Sequence, residues 1–330
     1  MHSNQGSPSE VVLHVVSGKG GTGKTTVAAA LAISLATNGH RVLLMEVEGR
    51  QGIAQLFDVP PLNYEETKVA VAPGGGEVWA LAVDSEDALL DYLEMFYKMR
   101  RAGSALGKMG AIEFATTIAP GLRDVLLTGK AIEVVKRKEK NASNAYDFVV
   151  LDAPPTGRIT RFLNVNSEVS GLAKVGPIKN HADSVMSVIA SPLTTVHLVT
   201  LLEEMPVQET LDGIADLEAN GLPVGSIFVN LMRPPKLDAD QRKAVAERTL
   251  NTSDIESGLE AVGLNSPALV TSLEREALDH TQRVDLEARE LQRLEDAQRT
   301  IVRLPLIPAG IDLGALYELA EIITNSEVTK

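Results

Sequence analysis

The 330-residue sequence has no cysteine, so a disulfide framework, a thiolate metal site and a cysteine nucleophile are all excluded. Basic residues are in deficit: 31 Lys and Arg face 44 Asp and Glu, giving a formal net charge of −13. Generic binding to nucleic acid or anionic lipid rests on clustered Lys and Arg, and this balance argues against both. No apolar run approaches the roughly 20 residues that span a bilayer. The opening MHSNQGSPSE lacks the basic and apolar regions of a secretory signal. The expectation is a cytoplasmic protein with no direct membrane insertion. Aromatic residues are scarce at 4%, and Tyr92, Phe96, Tyr97 and Phe114 crowd into one stretch. The remainder, 44% hydrophobic and 23% charged, is ordinary for a soluble globular protein. The length allows one large α/β domain or two smaller ones.

Val11 to Val16 is a near-continuous apolar run, as expected of a strand buried on both faces of a parallel sheet. A glycine-rich turn follows. Then come an Ala- and Leu-rich helix, Val27 to Thr37, closing at Asn38-Gly39, and a second buried strand, Arg41 to Val47. Strand, helix and strand within about 40 residues form a βαβ unit, so the sheet is parallel with helices on its faces. Further strands are predicted at Val78 to Val83, Phe148 to Leu151, Thr195 to Leu201 and Ser226 to Val229. Ile301 to Leu306 is predicted as an edge segment, because Pro305 suits no central strand.

Two long stretches have helical character. Ser85 to Lys138 begins with an acidic first turn. Pro235 to Thr300 is charge-rich and carries a stripe of Leu273, Ala277, Val284, Ala288, Leu291 and Leu294 at helical spacing. The second is expected to be a solvated helical hairpin with i,i+4 pairs Asp279–Arg283, Asp285–Arg289 and Glu295–Arg299 on its outer face. No repeat or linker divides the chain. The expected fold class is α/β, a doubly wound and mostly parallel sheet with helices on both faces. Residues 1–10 are expected to be a flexible tail, and 11–330 a single domain with helical insertions at about 85–138 and 235–300.

Gly18-Lys19-Gly20-Gly21-Thr22-Gly23-Lys24-Thr25 fits G-x-x-x-x-G-K-[ST] between a predicted strand and a predicted helix, the context a P-loop requires. Glycines let the backbone curl until successive N–H groups face phosphate oxygens, and the helix N-terminus adds its positive end. Lys24 supplies a point charge to the β- and γ-phosphates, and the Thr25 hydroxyl binds Mg²⁺. Gly18, Gly20 and Gly23 also satisfy G-x-G-x-x-G, and Glu46 and Glu48 end the second strand about where a dinucleotide fold keeps its ribose-binding acid. A nicotinamide enzyme has no use for the Lys24-Thr25 pair, which a triphosphate with Mg²⁺ needs. The mononucleotide reading is therefore preferred.

Lys19 is not required by an ordinary P-loop. It is either a solvated loop lysine or a second cation aimed at phosphate, including that of a neighbouring subunit. Asp152-Ala153-Pro154-Pro155-Thr156-Gly157 follows the strand Phe148 to Leu151, so Asp152 stands at a strand's carboxyl end, where ligands bind in such sheets. Asp152 is in place to hold Mg²⁺ directly or through water, and Gly157 to turn its amide to a γ-phosphate.

Together these pieces resemble the deviant Walker A ATPases, in particular the ArsA-like group of anion-pump and tail-anchored-protein-targeting ATPases. KGGTGKTT (Lys19 to Thr26), VLLMEVEGRQGIAQLF (Val42 to Phe57) and APGLRDVLLTGKAIE (Ala119 to Glu133) carry the likeness. So do VLDAPPTGR (Val150 to Arg158), LPVGSIFVN (Leu222 to Asn230) and RLPLIPAG (Arg303 to Gly310). The chain looks most like an actinobacterial branch in which related paralogues pair. The resemblance implies a P-loop fold that hydrolyses ATP to ADP with Mg²⁺. It implies a dimer, of two copies or of this chain with a paralogous ATPase, acting on a client or membrane partner and not on nucleic acid.

In such a dimer Lys19 would cross to the partner's phosphates. Glu48 to Gln51 would be the first switch, and Asp152 to Arg158 the second. Gly21, Thr22 and Thr26 complete the phosphate loop, Asn230 matches an adenine-contacting asparagine, and Pro308 lies in the loop that covers the base. Glu48 matches the aspartate that activates water, in EVEGRQG where the family has T-D-P-A. The added methylene implies slow hydrolysis, since a misplacement near 1 Å costs about 10²-fold in rate. It also leaves a second reading: a nucleotide-binding regulatory subunit that leaves hydrolysis to a paralogue. Arg50 and Arg158 stand where the family has an uncharged residue and a histidine, and contact phosphate, pair with Glu48 or are solvated. Without cysteine, thiolate arsenite binding and an interfacial zinc site are excluded. The Tyr92 to Phe114 segment is either core, the commoner fate of such clusters, or the candidate client surface.

Overall fold

The computed structural model describes residues 11–84, 87–88, 121–139, 143–172, 177–264 and 266–329. Within them lies one eight-stranded sheet. Its strands are β1 (Leu13–Gly18), β2 (Arg41–Glu46), β3 (Thr67–Val71), β4 (Glu77–Ala82), β5 (Phe148–Asp152), β6 (Thr194–Thr200), β7 (Val224–Met232) and β8 (Ile301–Pro305). They run in the order β3-β4-β2-β5-β1-β6-β7-β8, parallel throughout except for β3 on β4. Each of the seven predicted strands is present, and β8 lies at an edge as Pro305 requires. Strand β3 has no counterpart among the predicted strands. Its Thr-Lys-Val-Ala-Val is short, half-polar and nowhere fully buried.

Alternation along the strands feeds two cores. Leu13, Val15, Leu43, Met45, Val149 and Leu151 face one side of the sheet. There they meet α3 (Leu122–Glu139), α4 (Thr156–Leu172), α5 (Pro177–Ile189) and α6 (Glu204–Ala219). Val16, Val42, Leu44 and Val150 face the other, under α1 (Lys24–Ala36) and α10 (Leu313–Thr324). Helix α1 is buried nearly all round between the sheet and α10, which its alanines permit without loss of helix propensity. It begins at Lys24, three residues before the predicted start, because Gly23 at φ 85° turns the chain straight into the helix.

Strand register levels the site. Val16 and Glu46 both stand opposite Asp152, so the carboxyl ends of β1, β2 and β5 lie side by side at the centre of the sheet.

The segment 235–300 corrects the expected hairpin. It forms three helices, α7 (Ala239–Ala246), α8 (Thr252–Ala261) and α9 (Pro267–Glu295). Along the stripe, Leu294 is fully buried, whereas Leu273 is 40% exposed and Ala288 is also exposed. The expected i,i+4 pairs give way to others. Arg283 pairs with Glu287 at 3.0 Å, Arg299 with Glu218, and Glu295 with Arg303 at 2.8 Å. Helical spacing does not apply to Arg299, since α9 ends at Glu295. Of the earlier insertion, α3 is the described part. Tyr92, Phe96, Tyr97 and Phe114 lie outside the described residues, as does the 1–10 tail. Among the described residues no helix is long and apolar enough to cross a membrane.

Candidate functional site

The loop between β1 and α1 is built by close approach. A Cβ on Gly18 would run into the carbonyl oxygen of Val199 on β6, and one on Gly23 into the side-chain amide of Asn230 on β7. Only glycine lets those strands sit so near the loop. Thr22 Oγ1 donates to the Lys19 carbonyl at 2.9 Å, which tightens the turn around Gly20 and Gly21. Ser17 Oγ donates to the Pro154 carbonyl at 2.6 Å and so ties the start of the loop to the segment after β5.

Lys24 opens α1 and is 7% exposed. Beside it, Thr25 Oγ1 donates to Asp152 Oδ2 at 2.7 Å, with Thr26 next in the same helical turn. Burial pushes the Asp152 carboxyl up to about 6, and the Glu46 and Glu48 charges push the same way. The Thr25 hydroxyl and the Lys24 ammonium oppose them. A hydroxyl and a carboxylate meeting at the lip of a phosphate loop are hard oxygen donors, the set Mg²⁺ takes when phosphates and water complete its shell. Among the described residues no three His, Asp or Glu side chains gather to hold an ion alone.

Other predicted residues take places that spacing could not show. Lys19 Nζ donates to Glu209 Oε1 of its own chain at 2.7 Å, with Glu209 on α6. Glu48 faces Arg50 at 3.6 Å, and Arg50 is 70% exposed. Arg158 lies 3.8 Å from Asp124 on α3. Burial raises the Asp124 carboxyl, against the pull of Arg158, Arg123 and Arg161. Gly157 is in the first turn of α4 and is exposed.

Asn230 Nδ2 donates to the Thr22 carbonyl at 2.9 Å. That bond ties the end of β7 to the phosphate loop. A cleft beside it is lined by Leu202, Glu203, Leu231, Met232 and, from α9, Arg283 and Glu287. Pro308 is exposed in the loop after β8, which Leu306 N–H ties to the Met232 carbonyl at 2.8 Å.

Four residues were missed. Glu46 had been weighed as a ribose-binding acid, but both its oxygens accept backbone N–H groups, of Gln51 at 2.5 Å and Ile53 at 3.2 Å. Glu209, Arg283 and Glu287 reach the site from helices distant in sequence, and no local pattern announces them.

The sequence profile of the anion-transporting ATPases matches residues 11–193. The chain is 51% identical over 330 residues to the protein named ATPase BagA of Mycobacterium tuberculosis, covering 99% of this chain and 97% of that protein. It is 26% identical over 249 residues to ATPase GET3 of Kluyveromyces lactis, covering 65% and 70% of the two chains. With ATPase get3 of Neurospora crassa the identity is 25% over 271 residues, covering 71% and 77%.

Proposed function

The chain belongs to the family of anion-transporting ATPases, and from that premise we propose that its ATP hydrolysis drives a Mg²⁺-dependent dimeric switch acting on a client or partner. The observation that carries this is the Thr25–Asp152 contact at 2.7 Å beneath a loop that only glycine could build. The amides of Gly20 to Thr26 and the Lys24 ammonium bind the β- and γ-phosphates. Thr25 and Asp152 would hold Mg²⁺, which when bound spreads the charge of the phosphate oxygens. Glu48 orients the attacking water, and Gly157 presents an amide to the γ-phosphate. Asn230 Oδ1 accepts from the exocyclic amine of adenine, a group guanine lacks at that position, and Pro308 covers the base.

Lys19 supplies charge to the phosphates of the second subunit, a copy of this chain or a paralogue. In the single chain that role is withheld by Glu209. Hydrolysis is slow, because Glu48 carries one methylene more than an aspartate and is drawn toward Arg50. The Glu48–Arg50 pair also favours a second reading, in which a faster paralogous partner completes turnover. Residues 11–330 act as one ATPase domain, in the cytoplasm, with the Tyr92 to Phe114 segment as the candidate contact surface.

The test is molar mass by light scattering with Mg·ADP, Mg·ATP and a transition-state mimic, beside Lys24→Ala. The expected result is a doubled mass with the triphosphate or the mimic, absent in the variant. An unchanged mass in every nucleotide state, with or without a paralogue, refutes the switch.

A further inference from the structure

Between β2 and the short helix α2 (Gly52–Leu56) the chain makes a turn that is fixed at both ends. Within it Val47 is buried and its carbonyl accepts from Arg123 at 3.2 Å, while Gly49 and Arg50 are exposed. At one end stands Glu46, the last residue of β2, 2% exposed and in register with Asp152. Its Oε1 accepts the Gln51 N–H at 2.5 Å and its Oε2 the Ile53 N–H at 3.2 Å. At the other end stands Gln51, whose φ of 58° is one that side-chain-bearing residues rarely adopt. Its own side chain holds it there: Nε2 donates to the Leu62 carbonyl at 2.9 Å, and Oε1 accepts the Leu62 N–H at 2.7 Å. The next residue, Gly52, packs on the phosphate loop so closely that a Cβ there would lie 3.1 Å from Thr25 Cγ2.

A residue kept in a disfavoured conformation by three hydrogen bonds marks a place where position matters more than comfort. Between those anchors lie four residues, Val47, Glu48, Gly49 and Arg50, with Gly49 at φ 66° making the bend. The location of Glu48 relative to Thr25 and Asp152 therefore depends on Glu46, where β2 ends, and on Gln51, where α2 begins.

We propose that Glu46 and Gln51 are positioning residues for hydrolysis: by clamping both ends of the turn they hold Glu48 against the phosphate site. The proposal rests on the reading of Glu48 as the residue that orients the water, and its test separates the two. Phosphate release under single-turnover conditions and Mg·ADP affinity by calorimetry are measured for Glu48→Gln, Gln51→Ala, Glu46→Gln and the double variant Glu48→Gln/Gln51→Ala. Gln51→Gly, whose backbone accepts φ 58° without strain, replaces the alanine variant if that fails to fold.

With Glu48 displaced by about 1 Å, the rate in Gln51→Ala and Glu46→Gln falls roughly 10- to 100-fold while nucleotide affinity stays within about 2-fold. In the Glu48→Gln background Gln51→Ala costs nothing further, since it acts only through Glu48. An equal loss in both backgrounds overturns the proposal, as does a parallel loss of affinity and rate. A wild-type rate in the Gln51 variants beside a slow Glu48→Gln overturns the positioning role alone. A wild-type rate in Glu48→Gln overturns the reading of Glu48 and the proposal with it.

Discussion

Two imidazoles sit in the floor of the sheet, and their hydrogen bonds dictate how the protein responds to acid. His14 on β1 and His197 on β6 are fully buried, stacked at 5.4 Å with an interplanar angle of 5°. Ser226 N–H donates to His197 Nδ1 at 3.2 Å, so the His197 proton is on Nε2. That N–H donates to His14 Nδ1 at 3.1 Å, which puts the His14 proton on Nε2, buried without a partner. A second proton on either ring would set donor against donor, at Ser226 for His197 and at His197 for His14. Burial adds to this, lowering His14 to about 4 and His197 well below its usual value of 6.5.

Both rings titrate normally only when unfolded, so stability is full above about pH 6.5 and falls as the pH drops below it. The His14 shift of about 2.5 units alone amounts to about 3 kcal/mol between pH 6.5 and 4. With both rings neutral in the folded chain, they contribute up to roughly 3 kcal/mol per pH unit to the slope below pH 6, and the Asp152 carboxyl, raised by burial, offsets part of it. His14→Leu is similar in volume and removes the unpaired N–H while leaving His197 Nε2 without its acceptor. At pH 7.5 its stability should lie within about 1.5 kcal/mol of the parent. Its acid slope should lose the His14 share, about half of what the two rings contribute. Urea unfolding from pH 7.5 to 5 measures both, and imidazole nitrogen shifts by NMR report the protonation directly. An unchanged slope in His14→Leu, or a charged imidazole at pH 6 in the folded protein, refutes the assignment.

The other predictions concern the nucleotide site. The Lys19–Glu209 pair has side chains 32% and 36% exposed, so it is worth about 0.2–1 kcal/mol. Glu209→Gln should therefore speed phosphate release by no more than about 5-fold; an unchanged or slower rate means that the pair does not restrain Lys19. Asp152→Asn keeps an oxygen for the Thr25 hydroxyl but gives up the anion. Calorimetry with and without EDTA should show Mg²⁺ no longer strengthening ADP binding, with phosphate release down at least about 10²-fold. A retained Mg²⁺ effect would remove Asp152 from the metal site. Asn230→Ala should reduce the preference for ATP over GTP by about 5-fold or more, since a lost amide contact is worth about 1–3 kcal/mol. Competition binding that gives the same ratio in both proteins would deny Asn230 its part in base recognition.

The architecture was legible because buried parallel strands are written in one dimension. Val12 to Val16 (His14 apart), Val42 to Met45 and Phe148 to Leu151 are apolar on both faces, and each stops at a polar residue. Those stops, Ser17, Glu46 and Asp152, lie side by side because the register levels the strand ends, with the phosphate loop opening at Gly18. Strand β3 failed the same test because an antiparallel edge strand needs only one covered face. The three-helix segment after β7 was misread for a related reason. A stripe at helical spacing says that a helix exists, not where α7 and α8 break the chain before it.

Partner choice is where local reading stopped. Lys19 and Glu209 are 190 positions apart, Asn230 and Thr22 are 208 apart, and no spacing rule joins such residues. Glu46 and Glu48 make the sharper case, because sequence offered two carboxylates two positions apart and no means of choosing between them. Strand alternation would put both on one face of β2. But β2 ends at Glu46, so its side chain stays with the sheet, where the amides of Gln51 and Ile53 take up both oxygens. Glu48 has left the strand, and its one ion pair is with an arginine that is itself 70% exposed. Of the two, only Glu48 keeps oxygens that no backbone amide has claimed. The better buried carboxylate is thus the one that shapes the turn, and the one 21% exposed is the one that the proposed function assigns to the reaction.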